Sequence, residues 1–356
     1  MILPESFSQQ WINSHRTQSK FSKVNPPIVE KMIYALALLE ALVRQKLTFV
    51  FKGGTSLVIL MPEPKRFSVD IDILTQHSRA ELEPKFNAVI GEGLFTRWEI
   101  DEPRSYQGSI PKAHYQFHYT PQLNTATGYI LLDILFEEHQ YPVILPTPIK
   151  CSWIAVSDSP LKVHAPSVES ILGDKLTAFA PNTTGVLYGR NKSLEIVKQL
   201  HDVGHLFDSA QDVTVIANSF HAIVKQEIAY RKLDISPNDV LDDIISTALL
   251  ISQTPKNHAQ ADKLKYKEIQ DGISQFRNYL MSGKFNLDEA IECAAKAAYI
   301  AAKIKVKNND PFNRHEGNAC EFQFSDKPYH TLNWLRKIRT GSLFYWSETA
   351  KILDLK

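Results

Sequence analysis

Between residues 52 and 74 the chain reads KGGTSLVILMPEPKRFSVDIDIL, and this stretch restricts the possible folds more than any other. A glycine pair, Gly53 and Gly54, separates the β-rich run LTFVF from the apolar run TSLVILM. Short β-rich runs bounded by glycine are typical of strands, and the second run ends at the prolines of PEP as a short helix would. The segment therefore predicts a strand, a tight turn, a helix and a return strand.

The return strand, residues 68–74, carries Asp70 and Asp72 one residue apart. Side chains at i and i+2 of a strand point to the same face, so the apolar neighbours point into a core. Two carboxylates this close repel each other unless a cation lies between them, and Mg²⁺ prefers carboxylate and phosphate oxygens. The pair therefore predicts a metal site, the alternative being two solvated aspartates on an exposed face.

The glycine pair allows the backbone to approach a ligand closely. A helix that begins there would offer free N–H groups and a dipole that favour a phosphate. The hydroxyl of Thr55 or Ser56 could donate as well. A tight turn without any ligand is the alternative.

Elsewhere the first half alternates between helix and strand patterns, with helices at 28–44 and 79–91 and strands at 96–101, 114–119 and 128–138. From Pro166 onward the patterns are mainly helical, and beyond about residue 307 the chain is aromatic and less regular. We therefore expect an α+β protein with two domains. A small mixed sheet flanked by helices would occupy residues 1–150, and a mainly helical lobe residues 151–356.

Composition excludes several classes of protein. The 356 residues contain 40 Lys and Arg against 39 Asp and Glu, so the net charge of +1 gives no bulk attraction to nucleic acid. Three well-separated cysteines do not form a disulfide framework, which fits a reducing compartment. The sequence shows no signal peptide and no apolar run near the roughly 20 residues of a membrane helix. We expect a soluble, cytoplasmic protein with no membrane partner.

Taken together, the glycine turn and the two-aspartate strand resemble the nucleotidyltransferase superfamily, in which a GG or GS turn is followed by D-x-D. More narrowly, KGGTSL with RFSVDIDI is similar to the AbiEii/AbiGii toxin family, whose members carry a GGT(S)L turn and an R-x-S-x-D-[IL]-D strand. The resemblance implies that Gly54 and Thr55 hold the nucleotide phosphates and that Asp70 and Asp72 bind Mg²⁺. The residues predicted to bind the nucleotide are Gly53, Gly54, Thr55, Ser56, Ser68 and Arg190.

Asp133 is a single acid in the apolar strand GYILLDIL. The superfamily often has a third carboxylate on a later strand, and Asp133 fits that place. Because an isolated buried aspartate needs a partner, three roles are open: a metal ligand, a proton acceptor, or one half of a structural ion pair.

The helical half contains two further blocks that resemble the family. GDKLTAF implies that Lys175 faces the triphosphate and neutralises charge during phosphoryl transfer. KQLHDVGHLFD implies a required aspartate, Asp202, four residues after Lys198. The alternatives are an ordinary lysine of an amphipathic helix and an i,i+4 surface pair.

Two other features of this half fit less well. Arg190 lies farther from Lys175 than the family's arginine usually does, and Lys192 is an alternative. HDVGH, from His201 to His205, imitates a zinc-protease helix, but an aspartate replaces the glutamate base and no third ligand follows.

The resemblance implies a Mg²⁺-dependent nucleotidyltransferase that moves NMP from an NTP to an acceptor hydroxyl. It further implies the toxin of a bacterial toxin–antitoxin or phage-defence pair, with tRNA as the leading acceptor and an antitoxin as a partner. The alternatives are a small-molecule nucleotidyltransferase of the antibiotic-modifying type, kinase-like phosphotransfer, and a non-catalytic module that binds nucleotides or a partner.

Overall fold

A computed structural model describes residues 1–15, 24–102, 105, 110–123, 127–337 and 339–355. The chain forms two compact units. The first comprises Met1–Ser167 and Asn278–Gly283, and the second Val168–Arg277 and Lys284–Lys356.

The first unit is built on a mixed sheet flanked by helices. Its elements are α1 (Gln9–Ser14), α2 (Pro26–Arg44), β1 (Val50–Lys52), α3 (Gly53–Leu60), β2 (Ile71–Leu74), α4 (Arg79–Gly91), β3 (Arg97–Ile100), β4 (Lys112–Tyr119), β5 (Gly128–Leu135), β6 (Ile144–Pro148) and β7 (Lys162–Pro166). The strand order in the sheet is β3-β4-β5-β2-β1-β7-β6. Strand β1 pairs antiparallel with β2 and parallel with β7, and β2 pairs parallel with β5.

The two faces of this sheet differ in chemistry. On one face Phe51, Ile73 and Ile134 are buried in a single core that they share with side chains of α2 and α4. Because side chains alternate along a strand, the residues beside them in sequence lie on the other face. The strand register pairs Lys52 with Asp72 and Asp72 with Asp133, so this second face carries the charged side chains.

The predicted α+β class is confirmed, and the helix predicted at 79–91 has the bounds Arg79–Gly91. Strands β6 and β7 are not among the strands predicted from the sequence, and β6 contains Pro146 and Pro148. Strand β6 tolerates its prolines because it lies at the edge of the sheet, where one side of its backbone needs no partner. Since β7 pairs with β1, the sheet continues past the domain boundary predicted after residue 150.

The second unit is helical. Its helices are α5 (Val168–Ala178), α6 (Ser193–Ser209), α7 (Val213–Arg231), α8 (Pro237–Ser252), α9 (Gln260–Phe276), α10 (Leu287–Lys305) and α11 (Thr340–Leu353). Helix α10 contacts α6, α8, α9 and α11. The alanines of the α10 sequence AAKAAYIAAK are buried, and these small side chains let the neighbouring helices approach closely. Helix α11 lies in the segment beyond about residue 307, for which the sequence predicted no regular structure.

Within the described ranges, none of the helices combines the length and the apolar character that are needed to cross a membrane.

Close helix packing in the second unit depends on Gly173 of α5. A Cβ at this position would lie 2.6 Å from the carbonyl oxygen of Ile216 and 2.7 Å from the backbone nitrogen of Phe220, both on α7. We expect Gly173→Ala to lower the free energy of unfolding by about 1–3 kcal/mol, because backbone atoms cannot yield to the added methyl group. The measurement is the urea midpoint and the melting temperature.

Gly91→Ala is the matched control, since a Cβ at Gly91 would meet no atom within 4 Å. It should be neutral or slightly stabilising, because alanine favours helix more than glycine does. Equal stability of the two variants would contradict the close packing of α5 on α7.

Candidate functional site

The first glycine of the turn touches the second aspartate of the D-x-D strand. Gly53 has φ +77, a backbone conformation that glycine adopts readily, and it follows directly on Lys52, the last residue of β1. A Cβ at Gly53 would lie 2.0 Å from Oδ2 of Asp72. Any other residue would displace that carboxylate, so glycine is required here for both conformation and space.

The second glycine lies against a buried cation. A Cβ at Gly54 would lie 2.7 Å from both Nη2 of Arg66 and Oγ of Ser68. Arg66 is only 7% exposed, and its Nη1 donates a hydrogen bond to the carbonyl of Phe67 at 3.1 Å. The predicted residue Ser68 is therefore next to the turn, together with an arginine that was not among the predicted site residues. The signal for Arg66 was present in the RFSVDIDI stretch, where it stands two residues before Ser68.

The hydroxyls of Thr55 and Ser56 bond within the protein. Thr55 Oγ1 donates to the backbone carbonyl of Asp70 at 2.5 Å, and Ser56 Oγ donates to the carbonyl of Gly53 at 2.8 Å. Both residues are fully buried. The Thr55 hydroxyl ties the start of α3 to the D-x-D segment, whereas the Ser56 hydroxyl bonds within the first turn of α3. The first backbone N–H groups of an α-helix have no intrahelical acceptor.

The two aspartates differ in their place on the strand. Asp70 lies just before β2, whereas Asp72 is the second residue of β2, and both are partly exposed. Lys52 is the cross-strand partner of Asp72, so its ammonium group is on the same face of the sheet. Its Nζ lies 6.0 Å from the centroid of the Tyr141 ring. Lys52 is a second cation that sequence reasoning did not include, although it directly precedes the glycine pair.

Asp133 lies beside Asp72 in the parallel register of β2 and β5. Its Oδ1 is 2.5 Å from Nδ1 of His114 on β4, so Asp133 has a histidine partner within the sheet. Among the residues that the structure describes, no group of three or more His, Cys, Asp or Glu side chains is arranged to hold a metal ion. The assignment of Asp70, Asp72 and Asp133 as metal ligands stays a prediction.

In the second unit, the structure brings Lys175 and Asp202 together. Lys175 Nζ lies 3.0 Å from Oδ2 of Asp202 and donates to Oε1 of Gln199, also at 3.0 Å. The two charged side chains are only 9% and 1% exposed. Nδ1 of His201 is 3.6 Å from the other oxygen of Asp202. Two residues for which the sequence predicted separate roles thus form one buried ion pair between α5 and α6.

Arg190 is exposed, in a turn between Gly189 (φ +72) and Asn191 (φ +55). The rings of His201 and His205 pack against each other with centroids 4.2 Å apart. The role predicted for Arg190 stays a prediction.

The buried ion pair has a testable consequence for stability. Removing one partner leaves a buried charge without compensation, so Lys175→Met or Asp202→Leu should each cost about 3–5 kcal/mol. The double variant should recover much of that loss, because apolar side chains of similar volume replace a buried pair at small cost. Urea unfolding of the four proteins gives the coupling energy, and additive losses would contradict a direct pair.

The chain is similar to known proteins both in sequence and in structure. The chain matches a family model described as nucleotidyl transferase AbiEii toxin, type IV TA system, over residues 37–292. JHP933 from Helicobacter pylori aligns at 15% identity and a TM-score of 0.43, over 78% of this chain and 93% of that one. A second H. pylori structure, described only provisionally as a nucleotidyltransferase, aligns at 15% identity and a TM-score of 0.41, over 78% and 94%. No curated protein matches significantly. Because the family model covers more than half of the chain, the protein belongs to the AbiEii nucleotidyl transferase toxin family of type IV toxin–antitoxin systems.

Proposed function

We propose that this nucleotidyltransferase uses Mg²⁺ to transfer NMP from an NTP to an acceptor hydroxyl, with tRNA as the acceptor and with growth-inhibiting or phage-defence activity. The observation that carries the proposal is the contact between Gly53 and Asp72. In this contact, a glycine turn of the kind that binds phosphate groups lies directly against a carboxylate of the kind that binds metal ions. Asp70 is tied to the same turn through Thr55.

The donor set of the first unit fits Mg²⁺. Asp70 and Asp72 supply carboxylate oxygens, and Mg²⁺ is usually bound by one or two carboxylates together with substrate phosphates and water. A site of that kind needs no third protein ligand. Bound Mg²⁺ would polarise the α-phosphate and stabilise the charge of the leaving pyrophosphate.

Three groups of this chain would hold the triphosphate. The N–H groups at the start of an α-helix lack intrahelical acceptors and favour an anion, so those at the start of α3 are the first of these groups. Arg66 lies behind Gly54 and Lys52 lies beside Asp72, so two cations flank the same turn. Charged donors bind phosphate oxygens more strongly than neutral hydroxyls do. We therefore assign phosphate binding to this backbone and to Lys52 and Arg66, in addition to the predicted glycines and Ser68.

Asp133 is proposed as the acceptor of the proton that the attacking hydroxyl loses. One of its oxygens is engaged by His114, yet 26% of its side chain is exposed. The family resemblance implies roles in the reaction for Lys175, Asp202 and Arg190 as well. We place the reaction in the cytoplasm, where NTP and tRNA occur together, and the type IV family implies an antitoxin counterpart.

The reaction is tested by incubating the protein with Mg²⁺, total tRNA, and each NTP labelled at the α or the γ position. We expect label from the α position to appear on RNA. Asp70→Asn and Asp72→Asn should each lower the rate at least about 100-fold, because each variant lacks a carboxylate that would hold the Mg²⁺ whose charge offsets that of the reacting phosphates. Glu83→Gln is the control and should behave as wild type, because Glu83 is a partly exposed carboxylate of α4 that pairs with Arg79.

Label that enters RNA or protein only from the γ position would overturn NMP transfer. Label from the α position on a small molecule but not on RNA would replace the tRNA acceptor. An Asp72→Asn variant that keeps its activity would contradict the proposed metal site.

A second test measures how tightly the proposed phosphate-binding groups hold an NTP, without following the transfer reaction. Lys52→Met should weaken NTP affinity about 10- to 100-fold, since a hydrogen bond to a charged group contributes about 1.5–3 kcal/mol. Lys85→Met is the control, because Lys85 lies on α4, which packs on the apolar face of the sheet, and its Nζ donates to the carbonyl of Gln45. Calorimetric titration with each of the four NTPs gives the dissociation constants. Equal affinities of the two variants would exclude Lys52 from the site.

A further inference from the structure

His114 and Asp133 join a histidine ring to the charged face of the sheet. They are cross-strand partners on β4 and β5, and Nδ1 of the ring lies 2.5 Å from Oδ1 of the carboxylate. The histidine side chain is 10% exposed and the aspartate 26%. The ring is therefore the buried half of the pair, and the carboxylate is the half that a substrate can reach.

Both partners are fixed by the fold. The backbone N–H of His114 donates to Oγ of Ser105 at 2.9 Å, which fixes the strand at this position. When the carboxylate is ionised it can only accept hydrogen bonds, and Nδ1 is then the donor of the pair. This bond engages one oxygen of Asp133 and prevents the carboxylate from rotating. The parallel register then keeps Asp133 beside Asp72.

We propose that His114 is a positioning residue for the transfer reaction, which holds Asp133 so that its second oxygen can take the proton of the acceptor hydroxyl. The inference rests on the proposed function. In the step, the acceptor oxygen forms a bond to the α-phosphorus while the bond to pyrophosphate breaks. The hydroxyl proton passes to Asp133, and His114 keeps its own proton throughout.

The same strand contains a second histidine–carboxylate pair that serves as an internal comparison. His118 lies on the same face of β4, and its Nε2 is 2.9 Å from Oε1 of Glu99 on β3. This hydrogen bond lowers the pKa of the Glu99 carboxyl. Since β3 is on the side of β4 away from β5 and β2, this pair is remote from Asp72. The His118–Glu99 pair therefore has the same chemistry as the His114–Asp133 pair but lies elsewhere in the sheet.

The test compares two substitutions of similar size. The side-chain nitrogen of asparagine is as many bonds from the backbone as Nδ1 of histidine, so His114→Asn can keep the hydrogen bond, whereas His114→Leu cannot. We expect His114→Leu to lower kcat about 10- to 100-fold, the usual cost of losing a hydrogen bond that orients an active-site ligand. The KM for the NTP should stay unchanged, and His114→Asn should keep kcat within about threefold of wild type.

Three controls separate positioning from a structural role. His118→Leu should keep wild-type kcat, and melting temperatures check that each variant is folded. Asp133→Asn should lose at least as much kcat as His114→Leu, and the double variant should lose no more than Asp133→Asn alone, because the two residues act through one group. If His114→Leu does not fold, His114→Gln replaces it, since its amide nitrogen lies one bond too far from the backbone.

The possible failures are distinguishable. Wild-type protein that transfers no NMP to any acceptor would overturn the proposed function and, with it, the role of His114. An active wild type with normal kcat in His114→Leu would overturn the positioning role alone. The same holds for equal losses in the Leu and Asn variants, or for an effect on KM without an effect on kcat.

Discussion

The contact between the backbone of Gly53 and the carboxylate of Asp72 is the constraint on which the rest of the site depends. It requires a residue without a Cβ, in a left-handed conformation, at the junction of β1 and α3. The antiparallel pairing of β1 with β2 brings Asp72 to that junction. The turn and the carboxylate are thus parts of one local structure of about 20 residues, and the helix between them determines how they meet.

The sheet provides this structure with two different surfaces. Its apolar face packs against α2 and α4, and the core on that side keeps the strands in register. Its charged face places Lys52, Asp72 and Asp133 on adjacent strands. Because a one-residue slip would exchange the two faces, burial of Phe51, Ile73 and Ile134 also determines which carboxylates are available for chemistry. Stability of the core and geometry of the site are therefore coupled.

What the sequence could predict is mostly local. The glycine turn and the helix at 79–91 depend on neighbouring residues, and their patterns were sufficient, whereas the strand predicted at 68–74 begins only at Ile71. The partners of Asp133 and Lys175 come from 19 and 27 residues away, through strand pairing and helix packing that a single sequence does not reveal. Strand β6 was not predicted because it contains Pro146 and Pro148, which a strand tolerates at the edge of a sheet. Arg66 and Lys52 were visible in the motif, but only the structure locates them at the glycines.

The most direct test of this account measures NTP binding in the presence of Mg²⁺ by wild type, Gly53→Ala and Gly93→Ala. Gly93 also has a positive φ, +85, but a Cβ there would meet no atom within 4 Å, so this variant carries the backbone strain without the contact to Asp72. We expect Gly53→Ala to lose NTP binding and Gly93→Ala to bind NTP as wild type does. Equal affinity of all three proteins would contradict the central claim that the glycine turn and Asp72 together form the nucleotide site.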